Sequence, residues 1–280
     1  MNYTQLYGEI RKKSSFLCVG LDTDPDKLPG CISVEKDSLF EFNRRIIDAT
    51  ASFAVAFKPN IAFYEAEGAH GWTQLEMTVR YIRDRYPEMF VIADAKRGDI
   101  GNTAERYAKA FLDRMGFDAV TLAPYMGSDS IRPFLKREGK WGIVLALTSN
   151  KSAEEFECLG TEGGVPLYER VISGTIANTE KEFGNSTDRL MFVVGATRPE
   201  KLAEIREYCP DHFLLVPGVG AQGGSLSEVA KYGLNSHCGL LVNSSRGIIY
   251  ASSEDNFAEA ASSAAAELAS EMKELLARNL

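Results

Sequence analysis

The stretch Phe90-Val91-Ile92-Ala93-Asp94-Ala95-Lys96-Arg97-Gly98-Asp99 is a short apolar run that passes straight into charge. A run this short, with β-branched and aromatic residues, reads as a strand buried on both faces. Seven more such runs punctuate the chain, at 16–21, 53–57, 119–122, 142–147, 190–194, 213–216 and 239–242. Between them lie segments with helical periodicity, at 38–51, 72–86, 103–115, 167–183, 200–208 and about 256–276, with a further helix expected at about 2–13. The segment 103–115 follows Asn102 and carries Glu105, which predicts an Asn variant of the capping box. Eight βα units in 280 residues is the arithmetic of a single (β/α)8 TIM barrel domain, residues 1–280, with a parallel eight-stranded core. A doubly wound open sheet is the alternative.

Composition agrees with a globular chain: 45% hydrophobic, 25% charged, net charge −8. The acidic balance argues against a dedicated nucleic-acid binder. No apolar run approaches the ~20 residues of a membrane span, and the first residues carry no charged-then-apolar signal segment. Five widely spaced cysteines without a Cys-x-x-Cys pair read as reduced thiols, so a cytoplasmic location is expected. The three histidines, His70, His212 and His237, do not cluster. That leaves neither a His-based metal site nor a Ser-His-Asp triad, and the histidines read as surface or packing residues. Chemistry must then rest on Asp, Glu, Lys and Arg.

A barrel places its active site at the C-terminal ends of the strands. There the sequence sets Asp22-Thr23-Asp24, Lys58-Pro59-Asn60, Asp94-Ala95-Lys96-Arg97-Gly98-Asp99 and Asn243-Ser244-Ser245-Arg246. Residues two apart on a strand face the same way, so Asp94 and Lys96 should share the barrel mouth with Lys58 and Asp22. In a partly dry pocket each charge of such a Lys-Asp-Lys-Asp set, completed by Asp99, keeps its neighbours ionised. A cationic lysine there can deliver a proton to a carbanion. The alternative is an ion-pair network without chemistry.

Pro217-Gly218-Val219-Gly220-Ala221-Gln222-Gly223-Gly224 contains Gly-x-Gly-x-x-Gly after the seventh strand. A dinucleotide fingerprint belongs in the first βα unit with an acidic residue after the next strand, where this chain has Asn243. The glycines suit a backbone that approaches a phosphate, and Arg246 after the eighth strand would supply a charge-assisted fork. A tight helix–strand turn is the alternative. The segment 149–165, long and polar for a βα loop, is expected to be a closing lid, or else a plain surface loop.

Asp94-Ala-Lys96-Arg-Gly-Asp99-Ile, Lys58 and Pro217-Gly-Val-Gly-Ala-Gln222-Gly-Gly together resemble the orotidine 5′-phosphate decarboxylases. Asp22-Thr-Asp24-Pro-Asp26, Asn60-Ile-Ala-Phe-Tyr-Glu65 and Gly101-Asn-Thr103-Ala-Glu-Arg-Tyr resemble their longer bacterial branch, and the likeness spans about 16–250. The resemblance implies a homodimer that converts orotidine 5′-monophosphate to UMP and CO2 in de novo pyrimidine biosynthesis, with no metal and no cofactor. It implies Lys96 as proton donor to C6, Asp94 beside the substrate carboxylate, and Lys58 and Asp22 at the ribose. It implies Asp99 and Thr103 reaching into the partner's site, Ser149 at the pyrimidine, Pro217 lining the pocket, and Gln222 and Arg246 at the phosphate. The chain departs from the pattern at Asn243-Ser-Ser-Arg246, where many members have Gly-Arg, which puts a second backbone contact to phosphate in question. Two rivals remain: a metal-dependent sugar-phosphate decarboxylase or aldolase on the same barrel, which would need acidic ligands on neighbouring strand ends where Glu65 and Asp118 are not placed, and a non-catalytic nucleotide-binding protein.

Overall fold

The computed structural model describes residues 1–220 and 223–280. Its strands are β1 (Leu17–Leu21), β2 (Ala54–Pro59), β3 (Phe90–Arg97), β4 (Ala119–Leu122), β5 (Trp141–Leu147), β6 (Leu190–Val194), β7 (Leu214–Pro217) and β8 (Leu240–Ser244). They pair in parallel in chain order, and β8 closes onto β1 through Leu17↔Val242, Cys18↔Asn243 and Val19↔Ser244. That last ladder makes the sheet the barrel expected from the strand count and rules out an open sheet. Every residue of β1, β2, β4 and β6 is buried. Helices cover one face of the wall and stacked side chains fill the other, so the strands need no polar alternation.

The helices are α1 (Tyr3–Lys13), α2 (Gly30–Ser33), α3 (Ser38–Thr50), α4 (Ile61–Glu65), α5 (Gly68–Arg85), α6 (Gly101–Ala108), α7 (Ser128–Leu135), α8 (Ala153–Phe156), α9 (Leu167–Phe183), α10 (Glu200–Tyr208), α11 (Leu226–Gly233), α12 (Arg246–Ile249) and α13 (Phe257–Asn279). The expected capping box at Asn102 does not form. Helix α6 starts at Gly101, behind Ile100, and has no side-chain cap. Gly101 takes φ +45°, and the Asp99 carboxylate accepts the Ile100 N–H at 2.8 Å, so the turn is closed before Asn102 is reached. The predicted helix 103–115 also changes pitch: residues Lys109–Arg114 form a π turn, and both Phe111 and Leu112 are buried there. Helix α5 begins earlier than the predicted 72, and a Cβ on its Gly71 would stand 2.0 Å from the Tyr64 carbonyl oxygen.

The N-terminal end of the barrel is built for stability. Asn2 and Gln5 form the capping box of α1, whose Leu6 and Ile10 are buried. Buried Asp118, just before β4, accepts from Arg83 Nη2 at 2.6 Å and from the Val91 N–H at 2.8 Å. Arg206 donates to four carbonyls, those of Gly233, Cys209, His212 and Gly239, and so ties α10 to the starts of β7 and β8.

Two predictions follow from this packing. His212 is a buried packing residue. Ser186 Oγ donates to Glu180, so it accepts from His212 Nε2 at 2.9 Å, while buried Nδ1 has no partner. Burial, reinforced by Arg206, pushes the imidazole from its ordinary 6.5 down to about 4. Between these values the unfolded chain binds the proton and the native one does not. Stability therefore falls as pH drops through this window, by on the order of 2–3 kcal/mol. In denaturant titrations the stability advantage of wild type over His212→Gln should shrink from pH 7 to pH 4.

At the β1–β8 seam a Cβ on Gly20 would lie 1.8 Å from Ser245 Oγ and 2.8 Å from Ser245 Cβ. Gly20→Ala should destabilise the protein by about 1–3 kcal/mol, as overpacking does. Ser245→Gly in the same chain removes both clashing atoms and should restore most of that loss, measured by the same titration.

Candidate active site

The C-terminal rim of the barrel holds a cavity of about 400 Å³. Asp22, Lys58, Asp94, Pro217 and Arg246 line it, together with Asn60, Phe63, Ser245 and Tyr250. Its charged centre comes from three strands. Lys58, at the end of β2, is nearly fully buried and donates to Asp94 Oδ2 at 2.9 Å. Lys96 donates from Nζ to Asp94 Oδ1 at 2.5 Å and is half exposed. Asp22, past the end of β1, lies 3.9 Å from Lys58 Nζ. Its buried Oδ1 has no hydrogen-bond partner, so a carboxylate oxygen is left to accept a donor.

Electrostatics hold Lys58 and Asp94 charged. Burial alone would lower the pKa of Lys58, but the carboxylates of Asp94 and Asp22 outweigh it and raise the ammonium above the ordinary lysine value. Burial would raise Asp94, yet the ammonium groups of Lys58 and Lys96 hold its carboxyl well below the usual carboxylate range. Nearby Cys18 takes no part as a nucleophile: burial pushes its thiol up to about 12.

Asp94 and Lys96 do meet at the mouth, but not through strand alternation. Lys96 adopts φ +46°, and the β3–β4 register jumps from Ala93↔Val120 to Arg97↔Leu122. Four steps along β3 thus face two along β4. The resulting bulge swings the Lys96 side chain back onto Asp94. The charged residues also lie within β3, which runs to Arg97, rather than beyond a strand ending at Ala93.

The other expected site residues are spread more widely. Pro217 ends β7 and Arg246 opens α12, both on the cavity wall. Ser245 turns inward, within hydrogen-bond reach of Asn243 Nδ2 at 3.3 Å. Ser149 follows β5 and packs against Gly195, in a neighbouring recess with Asn150, Lys151, Thr197 and Arg198. Asp99 sits on the turn into α6 and Thr103 in the first turn of that helix; neither lines the cavity, and Thr103 is exposed. Gln222 lies outside the described residues. The segment 149–165 contains α8 and a short turn at Glu162–Gly164, and its Glu157 carboxylate accepts from the Thr148 N–H at 2.7 Å and from Thr148 Oγ1 at 2.8 Å.

Sequence reading missed Tyr250, whose hydroxyl accepts from the Asp24 N–H at 2.7 Å and donates to the Asp22 carbonyl at 3.2 Å. No local pattern could pair residues this far apart in the chain. It also missed Thr121, the one hydroxyl in the apolar run Ala119-Val120-Thr121-Leu122, which was the available signal. The acidic residues weighed for a metal-dependent reaction are engaged elsewhere: Glu65 pairs with Arg97, and Asp118 lies at the opposite end of the barrel. Among the described residues no group of three His, Cys, Asp or Glu side chains is placed to hold a metal ion.

Comparison with known proteins bears on the same site. Residues 15–261 match the family described as "Orotidine 5'-phosphate decarboxylase / HUMPS family". The chain is 56% identical over 279 residues to orotidine 5′-phosphate decarboxylase of Christiangramia forsetii, covering 98% of this chain and 100% of that protein. It is 52% identical over 276 residues to the protein of the same name from Bacteroides fragilis, covering 99% and 98%. Among solved structures, Leishmania donovani OMP decarboxylase superposes with a TM-score of 0.80 at 35% identity, covering 98% of each chain. Leishmania donovani UMP synthase superposes at 0.83 with 37% identity, covering 98% of this chain and 56% of that one. A barrel whose rim gathers Lys58, Asp94 and Lys96 over a cavity closed by Pro217 and Arg246 thus matches its relatives from end to end, and the chain belongs to the orotidine 5′-phosphate decarboxylase / HUMPS family.

Proposed function

We propose that this chain removes CO2 from orotidine 5′-monophosphate to give UMP, the decarboxylation step of pyrimidine nucleotide biosynthesis, in the cytoplasm and without metal or cofactor. The observation that carries the reading is the Lys58–Asp94–Lys96 chain of charges, with the Asp22 carboxylate beside it, at the edge of a cavity lined by Asp22, Lys58, Asp94 and Arg246. Arg246, Gln222 and the Pro217–Gly220 backbone take the phosphate. Asp22 and Lys58 take the ribose hydroxyls, and Ser149 takes the pyrimidine. The glycines and the arginine suit an anion, and the Asp22 oxygen that lacks a hydrogen bond suits a hydroxyl donor. These remote contacts hold the substrate carboxylate against the Asp94 side of the cluster.

When the C6–carboxylate bond breaks, CO2 leaves and its electron pair stays on C6, in the ring plane and with little delocalisation. The Lys96 ammonium stabilises that anion as a fixed charge and then transfers a proton to C6. Lys58 keeps Asp94 anionic and placed while this happens. Lys96 regains its proton from solvent, which its half-exposed side chain can reach.

The same reading makes the enzyme a homodimer with shared sites. Asp99 and Thr103 stand off the cavity of their own chain, and large apolar side chains crowd the neighbouring rim: Ile100, Tyr125 and Met126 are 56%, 92% and 48% exposed. A second copy would cover this surface and bring its Asp99 to the Lys96 of the first. The segment 149–165, whose Phe156 and Leu159 are exposed, closes over the bound nucleotide.

Hydrogen exchange at C6 of UMP in D2O tests the central step, because exchange and decarboxylation pass through the same carbanion. Wild type should form UMP from the substrate and catalyse slow exchange. Lys96→Ala should stay folded and bind UMP but lose nearly all of both activities. Exchange at the wild-type rate in Lys96→Ala would assign the proton to another residue. For the shared sites, mixing inactive Lys96→Ala with inactive Asp99→Ala under subunit exchange should restore activity, since one site of each hybrid is intact. Confirmed exchange with no recovery would mean that each chain completes its own site.

A further inference from the structure

We propose that Thr121 is a positioning residue, whose hydroxyl, held between the Lys96 backbone N–H and the Asp94 carboxylate, fixes the two reacting side chains relative to each other. Thr121 lies in the middle of β4 and is 1% exposed. Its Oγ1 accepts from the Lys96 N–H at 2.9 Å and donates to Asp94 Oδ1 at 3.0 Å. Neither direction can reverse: an amide N–H only donates, and an ionised carboxylate only accepts. The single hydroxyl proton is thus committed to Asp94, and a lone pair to Lys96.

The placement answers a specific problem. The bulge from Ala93 to Arg97 breaks the regular ladder, and Thr121 is the one β4 residue opposite it. Lys96 sits there in the left-handed region at φ +46°, which a non-glycine residue holds only where its surroundings demand it. Its N–H has lost its ladder partner, and the Thr121 hydroxyl replaces it from a rigid wall. Asp94 is held by Lys58 on Oδ2 and by Lys96 and Thr121 on Oδ1. Two of these donors are long flexible side chains; Thr121 is short and buried. On the decarboxylase reading proposed above, Lys96 gives up its proton to C6 and with it much of its hold on Asp94. Thr121 then keeps the carboxylate from following, and keeps the Lys96 backbone aimed at C6 for the next turnover.

Thr121→Val replaces the hydroxyl with a methyl of similar size, Thr121→Ala removes it with less bulk, and Thr121→Ser keeps it. Turnover of orotidine 5′-monophosphate, binding of UMP, and exchange of the Lys96 amide hydrogen by NMR are measured for each. Thr121→Val should lose roughly 10–100-fold in kcat, the range for one hydrogen bond to a charged group. KM and UMP affinity should stay within about threefold, because groups that bind phosphate and ribose are untouched. Thr121→Ser should recover kcat to within about threefold of wild type. The Lys96 amide should exchange about tenfold faster or more in Thr121→Val than in wild type or Thr121→Ser. If Thr121→Val does not fold, Thr121→Ala carries the same expectations. Wild-type kcat in a folded variant without the hydroxyl overturns the proposal, as does a Thr121→Ser enzyme as impaired as Thr121→Val. If wild type itself forms no UMP, the decarboxylase reading falls, and the amide exchange still decides the positioning role: an unchanged rate without the hydroxyl rejects it.

Discussion

One largely buried carboxylate organises this molecule's chemistry. Asp94 is 12% exposed in its side chain and bridges Lys58 at 2.9 Å and Lys96 at 2.5 Å. A lone charge at such a depth would neutralise itself by taking up or losing a proton, because desolvation of an ion is expensive. The alternating sequence of cation and anion avoids this. Lys58 and Asp94 each hold the other ionised, with the Asp22 carboxylate acting on Lys58 and the Lys96 ammonium on Asp94. The barrel meets the geometric requirement by delivering Asp22, Lys58 and Asp94–Lys96 from three adjacent strands, β1, β2 and β3, whose parallel pairing brings their ends to one rim.

The two ends of the barrel divide the work. At the N-terminal end two buried charges are fully engaged, Asp118 by Arg83 and the Val91 N–H and Arg206 by four carbonyls, although His212 Nδ1 there has no partner. Such saturated contacts hold strands in register and leave nothing for a ligand. At the C-terminal end satisfaction is incomplete. Asp22 Oδ1 is buried without a hydrogen-bond partner, Lys96 and Arg246 reach solvent, and Lys96 is held in a left-handed conformation. At this rim a ligand can complete the polar atoms that the chain itself leaves open.

Ser245 is fitted into the β1–β8 seam. A side chain at this position would crowd the wall, but β1 has Gly20 directly opposite, and a Cβ there would overlap Ser245 Oγ. Ser245 therefore points into the seam, toward Asn243, and leaves Arg246 at the cavity. The volume of the Ser245 side chain is accommodated across the β1–β8 pair.

The sequence by itself determined the barrel and pointed to most of the charged residues now found at its C-terminal cavity. Eight short apolar runs that each end in polar or glycine residues admit few architectures, because strands buried on both faces need helices on the outside and present only their ends to solvent. Asp22, Lys58, Asp94, Lys96, Pro217 and Arg246 were legible for the same reason: each stands at the end of such a run. The tertiary structure alone decided how those ends meet. Strand alternation gave a correct neighbourhood for Asp94 and Lys96 by an incorrect route, since the pairing depends on a bulge and a left-handed lysine that no periodicity encodes. The capping box at Asn102 failed because Asp99 and Gly101 closed the turn first. Tyr250 reached Asp22, and Thr121 reached both Asp94 and Lys96, across distances along the chain that local patterns do not span. Local sequence fixes which residues are buried and which are charged; contacts between segments depend on register and on who competes for each hydrogen bond, and those are settled only when the strands close on one another.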